Sequence, residues 1–414
     1  MMDAFLIMLY AGIAKFLSFI IRILFARTLS VEAMHYYTLI SPTLMLALTL
    51  SQLSLPTALS KLIAKYQQQP FLLKANTKLL TYLNLIVMIL LLLFTPLLSS
   101  LLSDHPLHLL IYTMLPILPL TSISATLKAR LSGMQRHRSA AFSQIPEEVV
   151  RILFLFLFYP YLRAMNDLHA AAAVLCSISI SEIGSIIYLY FNLPKQKRHS
   201  TSLVKRPIYK EFLQLAIPAS LSRLTGSLTY FLEPLLLSLL SLNHYLNDYT
   251  LIYGYLMPLI TMPSFLSISL SNYLLPSFVY YQEKKEYSKA SKLCFCILAS
   301  CAFIGISSSL LCYFKADLLL NFLYHNTNGS TLLKSLAMPF AIFSLQPALA
   351  SLMHALNLSS QSFYDTFYGC ILRLAILFFA PYLNAHLLVL SLVSSMLLTT
   401  CLHALRISIV LLKR

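Results

Sequence analysis

The sequence predicts an all-α polytopic membrane protein of about twelve transmembrane helices in two six-helix lobes, and three observations predict it. Of 414 residues, 58% are apolar and 11% are charged, against roughly 45–50% and 25% in a soluble domain. The mean hydropathy is +0.76. Apolar runs long enough to cross a hydrocarbon core of about 30 Å recur along the whole chain. A soluble enzyme, a disordered chain and a coiled coil are excluded by the same figures. Eight glycines and 19 prolines exclude collagen-like and Gly-rich linker sequence.

The runs fall at 4–27, 36–60, 79–102, 107–131, 146–163 and 168–192 in the first half. They continue at 211–241, 249–277, 293–314, 332–357, 363–383 and 386–411. The first is expected to stay as a membrane helix. No basic residue precedes Lys15, Asp3 sits where a signal peptide would be basic, and no small-residue cleavage site follows. The seventh and eighth runs carry Pro218, Pro234, Pro258, Pro263 and Pro276, so kinks are expected there. Between the halves lies the longest polar stretch, giving an N-lobe over 1–194, a basic linker over 195–210 and a C-lobe over 211–414. Halves with an even number of spans keep one orientation, so parallel repeats are expected.

Orientation follows from the loops. With the amino terminus inside, the inner loops hold Lys61, Lys65, Lys74 and Lys78, then Lys128, Arg130, Arg136 and Arg138. The linker adds Lys195, Lys197, Arg198, Lys205, Arg206 and Lys210, and the next inner loop Lys284, Lys285, Lys289 and Lys292. Arg406, Lys413 and Arg414 follow, whereas the outer side holds Arg27, Arg163, Lys315 and Lys334. The asymmetry predicts that both termini are cytoplasmic. It also accounts for the net charge of +16 without nucleic acid, since no basic stretch is interleaved with aromatics as a nucleic-acid groove requires. With no tryptophan, the 25 tyrosines supply the interfacial belts.

Several chemistries are absent. The seven cysteines lie in apolar runs and show no disulfide or zinc spacing. Asp104, His105 and His108 form the nearest approach to a ligand cluster and read as a polar turn, so no metal is expected. The glycines are too far apart for a Walker A loop, a dinucleotide fingerprint or a nucleophile elbow. Neither an enzyme nor a resident cofactor is expected.

The informative residues are ionisable ones inside apolar runs: Lys15, Arg22, Arg151, Arg223 and Arg373, with Glu147, Glu182 and Glu233, and Asp365 near a span end. Each costs roughly 2.5–3.5 kcal/mol at a helix centre on the insertion scale. Together they approach about 20 kcal/mol if lipid-exposed, more than a fold's marginal stability. They must therefore pair or face water. Lys15 and Arg22 are seven apart and stack on one face with no acid within a turn of their own helix, which suggests a hydrated wall that attracts anions. Arg223, Gly226, Tyr230 and Glu233 share a face of the seventh span, amid Ser220, Ser222, Thr225, Ser227 and Thr229, so Arg223, Tyr230 and Glu233 are expected to line the substrate cavity with Lys15 and Arg22. Glu147 and Arg151 stand at i, i+4 and read as an ion pair, with Glu182 a second candidate partner for Arg151. Arg373 follows Gly369 and has no evident partner, so it is read as a cavity or ion-pair residue or, somewhat favoured, as bonded to backbone within its lobe.

These segments together resemble the multidrug/oligosaccharidyl-lipid/polysaccharide (MOP) exporter superfamily. The nearest branch is the stage V sporulation protein B and polysaccharide-biosynthesis flippases, related to lipid II and Wzx-type flippases. The resemblance is carried by Arg22-Ile-Leu-Phe-Ala-Arg27, Tyr37 through Pro42 and Leu48-Thr-Leu-Ser-Gln-Leu-Ser-Leu-Pro56. Further on it is carried by Gly133-Met-Gln135, Gln144-Ile-Pro-Glu-Glu-Val-Val-Arg151, Ile217-Pro-Ala-Ser-Leu-Ser-Arg223, Glu233-Pro234 and His354-Ala-Leu-Asn357. It implies two six-helix lobes around a central cavity and alternating access. It also implies an undecaprenyl-pyrophosphate-linked oligosaccharide or peptidoglycan precursor as substrate, membrane lipids as the other partners, and a monomer. Arg22 and Arg223 match the flippases' cationic cavity positions, with Lys15 beside them. The chain departs in having twelve predicted spans where many relatives have fourteen, and in a first loop, Ser30 to Tyr36, that lacks the family's glycines. A cation-coupled drug exporter of the same fold and a non-transporting scaffold for wall or spore-coat synthesis remain as alternatives.

Overall fold

Twelve apolar runs become helices that repeatedly break in mid-span. In a computed structural model, the described residues are 2–66, 70–102, 107–194, 208–242, 244–356, 358–379 and 386–412. Residues 195–207 of the predicted linker and 103–106 of the predicted polar turn lie outside them. The chain divides into two compact units, Met1–Ser227 and Leu228–Arg414. That division falls inside a helix, whereas the reading from sequence placed it in the basic linker.

The first unit contains α1 (Met2–Thr28), α2 (Val31–Gln52), α3 (Leu55–Tyr66), α4 (Pro70–Leu102) and α5 (His108–Met114). It continues with α6 (Ile117–Gly133), α7 (His137–Phe142), α8 (Gln144–Ala164), α9 (Asp167–Asn192) and the start of α10 (Ile208–Leu239). The expected second span is two helices, α2 and α3. Leu53 and Ser54 adopt positive φ of 39° and 52° between them, and the Leu53 amide closes α2 on the Thr49 carbonyl. Ser30 begins α2 by accepting a bond from the Ala33 amide at 3.0 Å, a side-chain N-cap that satisfies one of the helix's free donors. The Ser30 hydroxyl also reaches Asp167 at the head of α9. The fourth span breaks similarly at Leu115–Pro116, because proline supplies no amide to continue the ladder.

The second unit contains the end of α10, α11 (His244–Thr250), a π-helical turn (Leu251–Leu256), α12 (Met257–Thr261) and α13 (Ser264–Glu283). It ends with α14 (Tyr287–Phe314), α15 (Ala316–Tyr324), α16 (Ser330–Phe343), α17 (Gln346–Ala355), α18 (Ser359–Phe379) and α19 (Leu387–Leu412). The prolines act unequally. α10 runs unbroken over Pro218 and Pro234. The eighth span instead bends by 54° where α12 meets α13 at Pro263.

Over its described residues, every predicted span is made of helix, broken or whole. Among the described residues, nine helices are long and apolar enough to cross a membrane, and the bent pair brings ten. The predicted spans outside that count, α8 and α10, each carry four charged residues.

Small residues set the tightest packing. A Cβ on Gly133 would lie 2.7 Å from the Ile63 Cβ and 2.8 Å from the Ser60 carbonyl oxygen, so α6 closes directly onto α3. Gly133→Leu is expected to cost about 1–3 kcal/mol through overpacking, measured as a lower thermal unfolding midpoint of the purified protein. An unchanged midpoint would mean that α3 yields there.

Candidate functional site

The intramembrane charges assemble into separate groups within each unit. In the first, α1 packs on α8, α8 on α9, and α6 on α9. This brings Lys15 and Arg22, Lys128, Glu147, Glu148 and Arg151, and Glu182 into one neighbourhood. Arg151 is its hub. It donates from Nη2 to Ser181 Oγ at 2.8 Å, from Nη1 to Glu148 Oε2 at 3.1 Å and from Nη2 to Glu147 Oε1 at 3.4 Å. Lys128 Nζ binds the other oxygen of Glu147 at 3.0 Å. The expected Glu147–Arg151 pair is therefore present, but it is the longest of these contacts, and Glu148 at i+3 is the nearer acid. The second partner expected for Arg151, Glu182, does not pair with it directly. Glu182 is buried beside the Ser124 hydroxyl, and its Oε2 has no hydrogen-bond partner.

Lys15 is exposed and Arg22 is half-buried. The Arg22 guanidinium lies over the Tyr37 ring, 5.6 Å from its centroid, and Phe25 holds that ring edge-on at 5.6 Å. Both cations act electrostatically on Glu148, an acid from the neighbouring helix that their own helix did not reveal. Among the described residues, neither makes an ion pair. Arg223 is likewise exposed and without an ion pair among the described residues, and a Cβ on Gly226 one turn later would meet nothing within 4 Å. The hydroxyls around it are partly spent on their own helix: Ser220, Thr225 and Ser227 donate to the carbonyls of Ala216, Leu221 and Leu224.

In the second unit, Glu233, expected with Tyr230 on the cavity face, is instead fully buried. Its carboxylate takes a forked pair from Arg373, through Nε and through Nη2 at 2.8 Å. The Tyr253 hydroxyl donates to it at 2.7 Å. Arg373 therefore bonds to a carboxylate 140 residues away, which corrects the expectation of a backbone bond. Tyr253 projects from the π-helical turn, a distortion that occurs mostly as single turns at special sites. Tyr249 and Tyr230 pack against it at a tilt, with centroids at 4.5 and 5.0 Å. A third group escaped the sequence reading. Arg406 donates to the fully buried Asp365 at 2.7 Å and to Gln361 at 3.3 Å, with the His403 ring nitrogen 3.8 Å from the other Asp365 oxygen. Among the described residues, no group of three or more His, Cys, Asp or Glu is placed to hold a metal.

Among the described residues, nine or ten helices long and apolar enough to span a bilayer, with charges paired among them, define a multi-pass membrane protein. Comparison with known proteins makes this specific. Residues 1–282 match the family model described as polysaccharide biosynthesis protein, and the chain belongs to that family. It is 29% identical to stage V sporulation protein B of Bacillus subtilis (strain 168), over 98% of this chain and 83% of that one. It is 23% identical to sporulation protein YkvU of the same organism, over 96% and 92%. Among solved structures, the lipid II flippase MurJ in an inward closed conformation superposes with a TM-score of 0.70 at 16% identity, over 98% of this chain and 87% of that one. An inward-facing multidrug resistance MATE family transporter of the MOP superfamily gives 0.70 at 14%, over 95% and 94%. The fold is thus the all-helical one these structures share, with nine or ten qualifying spans among the described residues.

Proposed function

We propose that the chain flips an undecaprenyl-pyrophosphate-linked glycan or peptidoglycan precursor across the bacterial cytoplasmic membrane by alternating access. Lys15, Arg22 and Arg223 contact the diphosphate. The observation that carries the reading is an imbalance of partners. Glu147 and Glu148 are held by Arg151 and Lys128, Glu233 by Arg373, and Asp365 by Arg406. Lys15, Arg22 and Arg223 have no ion pair among the described residues. A ligand biases a two-state transporter only through differential binding, and uncommitted cations favour an anionic head group. Tyr230 and Glu233 then serve as the support of α10 beside Arg223. Kinship with a sporulation protein and a fold shared with a lipid II flippase agree with a wall or surface-glycan precursor. The basic loops put both termini in the cytoplasm.

A cation-coupled drug exporter requires carboxylates free of arginine and lysine, and Glu182 alone among the buried acids discussed here lacks an ion pair. Proteoliposomes carrying the full chain separate the readings. Translocation of a fluorescent undecaprenyl-diphosphate sugar, with no accumulation of a cationic dye, is the expected outcome. Dye accumulation without glycolipid movement would overturn the proposal, and movement of neither would favour the scaffold.

A further inference from the structure

We propose that a groove between α4 and α6, in the first unit, is a binding site for an anionic phospholipid, one acyl chain lying in the groove and the phosphate at its basic mouth. The inference rests on the membrane fold and not on the glycan reading. The groove has a volume of about 330 Å³ and is lined from Thr77 to Met88 on α4 and from Pro119 to Leu127 on α6. Eleven steps along a helix span about 16 Å, roughly half of a 30 Å hydrocarbon core, which is the depth of one leaflet. A polyprenyl chain of many isoprene units is far longer, so the dimensions favour an ordinary acyl chain.

The amide donors on and just behind the groove's floor are already satisfied, while the Asn76 Oδ1 acceptor lies behind the lining without a partner. Asn84 Nδ2 donates to the Leu80 carbonyl at 2.7 Å and to Ser122 Oγ at 3.0 Å, and Asn76 Nδ2 donates to Thr126 Oγ1 at 3.1 Å. A hydrocarbon chain can cover these donors without stranding them. The walls, including Leu85 and Ile123, are apolar and about half exposed.

The mouth supplies the charge. The Asn76–Thr126 bond sets the two antiparallel helices in register. On α4 the stripe of Thr77, Thr81 and Met88 continues back by three residues to Lys74, which is exposed. On α6 the stripe of Ser122, Thr126 and Leu127 continues forward by one turn to Arg130, whose buried Nε has no hydrogen-bond partner. Each lining face therefore ends on a cation at the same end of the unit, and Lys78 stands beside them over the Tyr82 ring. An apolar trough one leaflet deep, closed at one end by Lys74 and Arg130, has the chemistry of a lipid acid and not of a zwitterion.

The test uses the full chain in phosphatidylcholine vesicles doped with phosphatidylglycerol carrying a diazirine on one acyl chain, with the same diazirine on phosphatidylcholine for comparison. Labelling by the phosphatidylglycerol probe is expected to concentrate on the 77–88 and 119–127 peptides, at least fivefold above the phosphatidylcholine probe. Leu85→Trp with Ile123→Trp, both at lipid-facing positions, should reduce it at least fivefold, while Leu93→Trp elsewhere on α4 leaves it unchanged. Lys74→Gln with Arg130→Gln should lower phosphatidylglycerol labelling to the phosphatidylcholine level. Equal labelling by the two probes in the unmodified chain would overturn the proposal whatever the variants do. So would displacement by equimolar undecaprenyl phosphate but not by unlabelled phosphatidylglycerol, since the groove would then hold a prenyl tail.

Discussion

Arg373→Ala is expected to destabilise the second unit by about 3–5 kcal/mol, the usual cost of removing one partner of a buried ion pair. Glu233 is fully buried and would keep only the Tyr253 hydroxyl. A carboxylate with so little solvation either stays ionised at high cost or takes up a proton. Thermal unfolding of the purified protein in detergent reads the loss. The charge argument has its own control. Arg373→Met combined with Glu233→Leu removes both charges while keeping apolar volume, and should recover most of the stability, because apolar replacement of a buried pair is often neutral. If the double variant is as unstable as Arg373→Ala, the loss comes from packing around Tyr230, Tyr249 and Tyr253, and the ion-pair account fails. Arg373→Lys should fall between the two, since an ammonium cannot reproduce the two-pronged contact.

The helices were legible in the sequence because apolar length alone decides a span. Their breaks were legible only in part: the eighth span bends at Pro263 as its prolines predict, whereas α10 runs on over Pro218 and Pro234. Leu53 and Ser54 turn the chain with positive φ, a conformation usually flagged by glycine, and neither residue flags it. The two charge groups differ in the same way. Glu147 and Arg151 share a helix, so i, i+4 spacing betrayed them, yet that spacing also drew attention away from Glu148, the nearer acid. Glu233 and Arg373 are 140 residues apart. A pair between distant helices leaves no trace in local spacing, and neither does the π-helical turn that aims Tyr253. Arg406 reads from sequence as one of the tail charges although it lies inside the last apolar run, and only the packing of α18 on α19 gives it Asp365. Lys15 and Arg22 stand out in the sequence because neither has an acid within a turn on its own helix, and a mid-span cation left unpaired is costly unless it meets water.

Those two cations give the second large expectation. Lys15→Gln with Arg22→Gln should weaken binding of undecaprenyl pyrophosphate to the purified protein by more than about 100-fold. Each hydrogen bond from a charged donor contributes about 1.5–3 kcal/mol, and 1.4 kcal/mol is tenfold in affinity. Folding should be preserved, because Lys15 is exposed and the Arg22 guanidinium gives up only its contact with the Tyr37 ring. Arg151→Gln makes the contrast. Its guanidinium is committed to Glu147, Glu148 and Ser181, so that variant should lose stability before it loses affinity. The sign of a third variant separates charge from shape. Glu148 is the acid on which both cations act, and in the empty protein it offsets part of their field. Glu148→Gln removes that offset and should tighten diphosphate binding, with a steeper loss as ionic strength rises. Were Glu148→Gln to weaken binding as the cation variants do, Lys15 and Arg22 would be acting through the packing of α1 on α8, and the diphosphate seat would have to be sought elsewhere.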